Sequence, residues 1–269
     1  MKNLVLAAFG WISLAALAAG ALPTGRIEPT GMIFIPAGIY SPLQRSAKEP
    51  AQVAVPGFLL DQYAVTNAEF LAFVTDHPAW RRTQVSPLFA DSSYLENWAG
   101  DLELGPLAPP RAPVVHVSWF ATRAYARSLA KRLPTTGEWE RAASVGFTRV
   151  DGKNDEAFNR ALYAWLARPV PSQLADVDTM PADFLGVRGL HGLIWEWVDD
   201  FNTAMVTGES RGDSGLERDL FCGAGSIGAK DTADYAAFMR QALRSSLQAK
   251  NTTSSLGFRC ARDVPPAQP

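Results

Sequence analysis

The chain has 269 residues, of which 25 are basic and 27 acidic, for a formal net charge of −2. That balance excludes the clustered basic face with which proteins grip nucleic acid. Arg81-Arg82 and Lys131-Arg132 are isolated pairs of the kind that lie on a solvated face.

Met1 to Ala21 reads as a secretory signal peptide: Lys2 supplies the positive start, an Ala- and Leu-rich run follows, and Ala19-Gly20-Ala21 offers a cleavage site. A retained membrane anchor over Leu4 to Leu22 is the competing reading, because that run is nearly long enough to span a bilayer. Cleavage leaves residues 22–269 as one exported domain, periplasmic or secreted, that touches a membrane only if the N-terminal segment stays on.

Residues 32–36 and 53–60 carry short apolar runs punctuated by Pro and Gly, which predict strands. A helix is predicted over 65–74, where Thr66 and Glu69 form a capping box and Phe70, Phe73 and Val74 fall at helical spacing. Residues 76–112 are dense in Pro, Asp and Ser without a sustained period. They form a long structured loop, since Trp80, Phe89, Tyr94, Leu95 and Trp98 call for burial.

Next, "VVHVSWFATRAYARSLAKR" (114–132) predicts a strand running into an amphipathic helix capped by Ser118, and 133–144 predicts another helix with Thr135 and Glu138 as its capping box. The rest reads as turns and short apolar runs. Helices early and short strands late make an α+β chain, without the alternation of a doubly wound fold.

Gly223, Gly225 and Gly228 spell G-x-G-x-x-G. A dinucleotide site needs an acidic residue about 20 positions later for the ribose. No Asp or Glu occurs between Tyr235 and Arg262, so these glycines serve turns or close packing.

Five ordered phrases resemble the formylglycine-generating enzyme, or sulfatase-modifying-factor, family. They are "YAVTNAEFLAFV" (63–74), "PVVHVSWFATRAYARSLAKRLPTTGEWERAA" (113–143), "GLHGLIWEWVDDF" (189–201), "CGAGS" (222–226) and "SSLGFRCARD" (254–263). The resemblance implies a single domain of low regular secondary structure, similar to the C-type-lectin fold. In the family's enzymes two cysteines after the glycine strand bind copper and activate oxygen. Those positions fall at about Ala229 and Ala236 here, so copper chemistry is not expected.

Cys260 matches the family's "GFRC" cysteine, whose usual disulfide partner position is Ala126. The two cysteines of this chain then suggest a rewired Cys222–Cys260 bridge, and in an exported protein a structural bridge is preferred to a reactive thiol pair. The family's calcium site would have Leu193 in place of its Asn, and Asp199 and Asp200 are the remaining oxygen donors. No cofactor is expected, with calcium the one possibility left open.

The resemblance marks Trp195, Trp197, Arg244 and Arg259 as the frame of a substrate groove with Glu196 and Ser226 as catalytic candidates, and His191, the one histidine near that motif, is a candidate general acid or base. The competing account makes Trp195 and Trp197 core residues, has Glu196 and Arg259 satisfy each other, and leaves His191 a satisfied histidine. His77, His116 and His191 have no metal-ligand spacing.

Three functions remain. One is an accessory or maturation factor that binds an exported protein or peptide partner. The phrases around residues 98–120 and 221–229 look most like the NirV type, which accompanies copper nitrite reductase in denitrifying bacteria. The second is a copper-independent oxidase or tailoring enzyme similar to the siderophore-maturation branch, and the third a regulatory ligand-binding module.

Overall fold

The computed structural model describes residues 31–42, 50–169, 171–201 and 232–265. Its largest sheet is antiparallel, with β1 (Met32–Ile35) and β7 (Ala261–Asp263) flanking β4 (Phe58–Asp61). Met32 pairs with Asp61, and Leu60 with Ala261. Two smaller sheets join β2 (Gly38–Tyr40) to β3 (Val53–Val55) in antiparallel fashion and β5 (Trp195–Glu196) to β6 (Leu256–Gly257) in parallel.

Three helices follow from local chemistry. In α1 (Asn67–Asp76) the Thr66 hydroxyl accepts from the Glu69 N–H, and the Glu69 carboxylate accepts from the Thr66 N–H at 2.8 Å. In α3 (Thr136–Ala143) Thr135 and Glu138 repeat this box. Between them, Ser118 caps α2 (Trp119–Ser128) by accepting from the Ala121 N–H. Each box satisfies orphan N–H groups of the first turn, an effect of about 1 kcal/mol per cap.

The loop over 76–112 is a packed layer, as expected, although not every aromatic in it is buried. Tyr94, Leu95 and Trp98 enter the core, whereas Phe89 stays 44% exposed and meets Trp80 and Phe120 at the surface. The Trp98 indole N–H donates to the Asn67 side chain at 3.0 Å, and Asn67 donates on to the Pro109 and Ala112 carbonyls. Phe70 of α1 centres the aromatic core, against Trp98, Tyr125 and Phe258.

Three expectations are corrected. Residues 114–117 form no strand: Val114 and Val117 are buried, but His116 takes a left-handed backbone (φ 58°). Its N–H donates to Thr253 and its carbonyl accepts from Leu95, so tertiary partners replace a ladder. The second half is not only turns, since it contains α4 (Glu156–Leu166), capped by Asp155, and α5 (Thr232–Ser246). The general expectation of late strands fails as well, because the runs at 32–36 and 53–60 form β1, β3 and β4, as their own sequence predicts.

Candidate functional site

Strand β5 carries Glu196 into the interior beside Arg259, which stands just before β7. Both side chains are wholly enclosed. The Arg259 Nε donates to Glu196 Oε2 at 2.9 Å, and Nη2 donates to Oε1 at 2.9 Å. The other Arg259 donors reach the carbonyls of Asp61, Gln62 and Arg188, while the Trp139 indole N–H donates to Glu196 at 2.8 Å.

This network ties β4, α3, β5 and the chain before β7 into one unit. Trp197 is also buried, its indole N–H donating to the Val117 carbonyl. Neither Arg259 nor Trp197 offers surface to a ligand. Trp195 is partly buried and packs on Trp165 of α4, with ring centres 4.8 Å apart.

The backbone leaves no slack around this unit. A Cβ on Gly257 would lie 2.3 Å from the Val114 carbonyl oxygen, so β6 approaches the 114–117 segment only because residue 257 is glycine.

One turn outward, α3 and α5 meet at a charged cluster. Glu140 of α3 accepts from Arg240 Nε (2.9 Å) and Nη2 (2.6 Å) and from Arg244 Nη1 (2.7 Å). All three side chains are at least nine-tenths buried. Both guanidinium groups also lie over the Trp139 ring, at 5.2 and 5.1 Å. Burial pushes the Glu140 carboxyl up, but Arg240 and Arg244 overcome it and hold the pKa at about 2.

This cluster floors an open cleft of about 610 Å³ bordered by Tyr40, Thr136, Arg141 and His191. Burial, with Glu140 adding to it, raises the Tyr40 hydroxyl to about 12, so it stays a hydrogen-bond donor.

His191 stands between this cleft and a smaller cavity of about 210 Å³ lined by Phe158, Leu162, Trp165, Met180 and Val187. Its ring meets Trp139, Phe158 and Trp165, and burial followed by the Arg240 charge lowers its pKa to about 4. The imidazole is therefore neutral near pH 7. Its Nε2 lies 2.9 Å from the Ala143 carbonyl, which can only accept, so the proton sits on Nε2. Nδ1 is then a bare acceptor, enclosed and without a partner among the described residues.

The remaining candidates separate. Ser226, Cys222 and Ala229 lie outside the described residues, so the expected Cys222–Cys260 bridge does too. Cys260 is a buried thiol whose burial and neighbouring Asp61 raise its pKa. Ala236 is on α5, fully buried against Phe158 and Leu162. Leu193 is buried, Asp199 pairs with Arg123 at 3.1 Å, and Asp200 accepts from the Thr136 N–H and hydroxyl. Among the described residues, no three His, Cys, Asp or Glu side chains converge as a metal-ligating set.

Sequence reasoning found Arg244 and His191 but missed Glu140, Arg240 and Tyr40. The available signal was Arg240 and Arg244 at i and i+4 on one helical face, which requires recognising α5.

The ordered phrases agree with the comparison to known families. A sulfatase-modifying factor enzyme 1-like domain matches residues 19–264. The chain belongs to this family. The formylglycine-generating enzyme of Bos taurus is 29% identical to it, over 92% of this chain and 79% of the bovine protein. That of Streptomyces coelicolor is 30% identical, over 77% of this chain and 78% of its own. The solved structure of PvdO from Pseudomonas aeruginosa is similar at 17% identity and a TM-score of 0.49, covering 87% of this chain and 94% of that one.

Within the family, this chain is a compact α+β member without the copper cysteines. Only Cys222 and Cys260 occur in it, and the second ligand position implied by the resemblance falls at about Ala236, whose methyl group is enclosed. The residues present do not fit a copper site.

Proposed function

We propose that this protein is a copper-independent maturation or accessory factor that holds a segment of an exported protein or peptide in the cleft between α3 and α5. The observation that carries the reading is the cleft itself: a charged floor of Glu140, Arg240 and Arg244 beneath a 610 Å³ opening, with neutral His191 on its wall. Membership in a family with formylglycine-generating enzymes supports a peptide-type occupant, and the alanines at the ligand positions set aside copper-dependent oxidation. Export rests on the pattern of residues 1–21. Among the described residues no helix is long and apolar enough to cross a membrane.

A second reading, a tailoring enzyme that works without copper, as in the siderophore-maturation branch, is favoured by His191. A neutral imidazole with one free lone pair beside a cleft is the equipment of a general base. Service to a copper nitrite reductase rests only on the phrases around 98–120 and 221–229, so the tailoring reading is preferred to that partner.

Site-specific photo-crosslinking from Gln241, which borders the cleft on α5, tests the main reading in the native host. One exported protein should be captured from Gln241 and not from Arg160 on the exposed side of α4. Equal capture from both positions overturns cleft binding. Copper-dependent oxygen uptake by the purified protein would overturn the copper-independent assignment.

A further inference from the structure

Among the described residues, an enclosed atom on the cleft floor and another on its wall have no partner. Arg240 spends Nε and Nη2 on Glu140, yet its Nη1 has no acceptor although the side chain is only 7% exposed. His191 spends Nε2 on Ala143, yet its Nδ1 has no donor. Both residues border the same cleft and flank the same Trp139 ring, with the Arg240 guanidinium 5.2 Å and the His191 ring 5.9 Å from its centre.

A buried donor or acceptor left without a partner is destabilising, most of all when it is charged, so such a pair points to something else that completes it. The missing partner of Arg240 is an acceptor. Arg141 and Arg244 border the cleft as well, Glu140 is already committed to the guanidinium fork, and Asp200 has its Oδ1 on Thr136. A carboxylate suits that setting better than a neutral carbonyl, because an ionised acceptor makes the stronger bond to a guanidinium. His191 Nδ1 requires the opposite partner, an N–H or O–H.

We propose that the cleft floor recognises a carboxylate together with a neighbouring amide N–H, the pattern of a peptide C-terminus or an N-acylated amino acid, with Arg240 Nη1 donating to the carboxylate and His191 Nδ1 accepting from the N–H. The proposal deepens the cleft-binding reading by naming the chemistry recognised there. Tyr40, kept protonated at the cleft edge, is a further donor within the same opening.

Titration of the full chain with N-acetylglycine, followed by NMR of the ¹⁵N-labelled histidine rings, tests it. The free protein should show His191 protonated on Nε2 only. N-acetylglycine should shift Nδ1 and bind at least tenfold tighter than its methyl ester, a comparison that needs no variant. Arg240→Lys should weaken binding at least tenfold while leaving the ester unchanged. His191→Phe should remove the advantage of N-acetylglycine over acetate.

An acetylated tripeptide ending in glycine that binds tighter than N-acetylglycine marks a peptide C-terminus, and equal binding marks a free acylated amino acid. A proton on Nδ1 of His191 in the free protein, equal binding of acid and ester, or no binding of N-acetylglycine overturns the proposal. Those results leave the Gln241 crosslink standing, so the two readings fail separately.

Discussion

Replacing Arg259 by Met should be among the most damaging single changes in the protein, and its cost can be worked from its partners. The substitution keeps much of the volume but strands Glu196, a carboxylate with a wholly enclosed side chain, and leaves the carbonyls of Asp61, Gln62 and Arg188 without their guanidinium donor. Breaking a buried ion pair by removing one partner costs about 3–5 kcal/mol. In a domain of this size each kcal/mol lowers the melting temperature by about 2–4 °C, so a fall of at least about 6 °C is expected.

Adding Glu196→Leu removes the stranded charge. The double variant should therefore be at least about 1 kcal/mol more stable than the sum of the two single losses. It will not return to the parent level, because the Trp139 indole N–H then loses its acceptor. Urea unfolding followed by circular dichroism measures all four corners of the cycle. A loss below about 1 kcal/mol for Arg259→Met, or simple additivity in the cycle, would refute the claim that this pair organises the fold.

Other changes test separate links in the argument. Gly257→Ala puts a Cβ 2.3 Å from a backbone oxygen and 2.7 Å from Ile194 Cδ1, so soluble yield and melting temperature should both fall sharply. Thr66→Ala and Thr135→Ala should each cost about 1 kcal/mol in urea unfolding, while Thr66→Ser keeps most of the cap. Relative to a His191→Phe variant, stability should fall as pH drops from about 6.5 to about 4, because the unfolded chain protonates His191 before the folded one does; Asp183, raised to about 6 by burial, opposes this trend in both proteins. Both should lose stability toward pH 2, because the folded-state pKa of Glu140 is also depressed. Melting curves of the two proteins against pH measure the difference, and a difference that does not change with pH would remove His191 as its source.

What the sequence revealed was what acts over three or four residues. Thr66 with Glu69, Thr135 with Glu138, and Ser118 ahead of its helix are local bonds, and each fixed a helix start where the structure has one. The β-branched run Val114-Val115-His116-Val117 looked like a strand for an equally local reason. It failed because distant groups, the Thr253 carbonyl and the Leu95 N–H, supply its backbone partners. Propensity lost to tertiary packing there. The five family phrases located the Glu196–Arg259 unit and left two accounts of it, a groove frame or mutual satisfaction; the structure has the second, with the guanidinium on five acceptor atoms inside.

The cleft floor was hidden for a related reason: Glu140 and Arg240 are 100 positions apart. Yet α5 carries the clue in a different form. Ala236, Arg240 and Arg244 recur at four-residue intervals and share its buried stripe. Arginine is seldom buried unless paired, so two arginines on such a stripe announce a buried acid elsewhere. The same stripe shows why the loss of the copper cysteines is more than two substitutions. At Ala236, the second ligand position by resemblance, the methyl group is already closed over by Phe158 and Leu162 of α4. A thiol restored there would enter an apolar contact instead of an open ligand site, and apolar burial raises a thiol's pKa and disfavours the thiolate that a metal requires. The chemistry of the cleft has therefore to be sought in what Arg240 and His191 leave unpaired among the described residues.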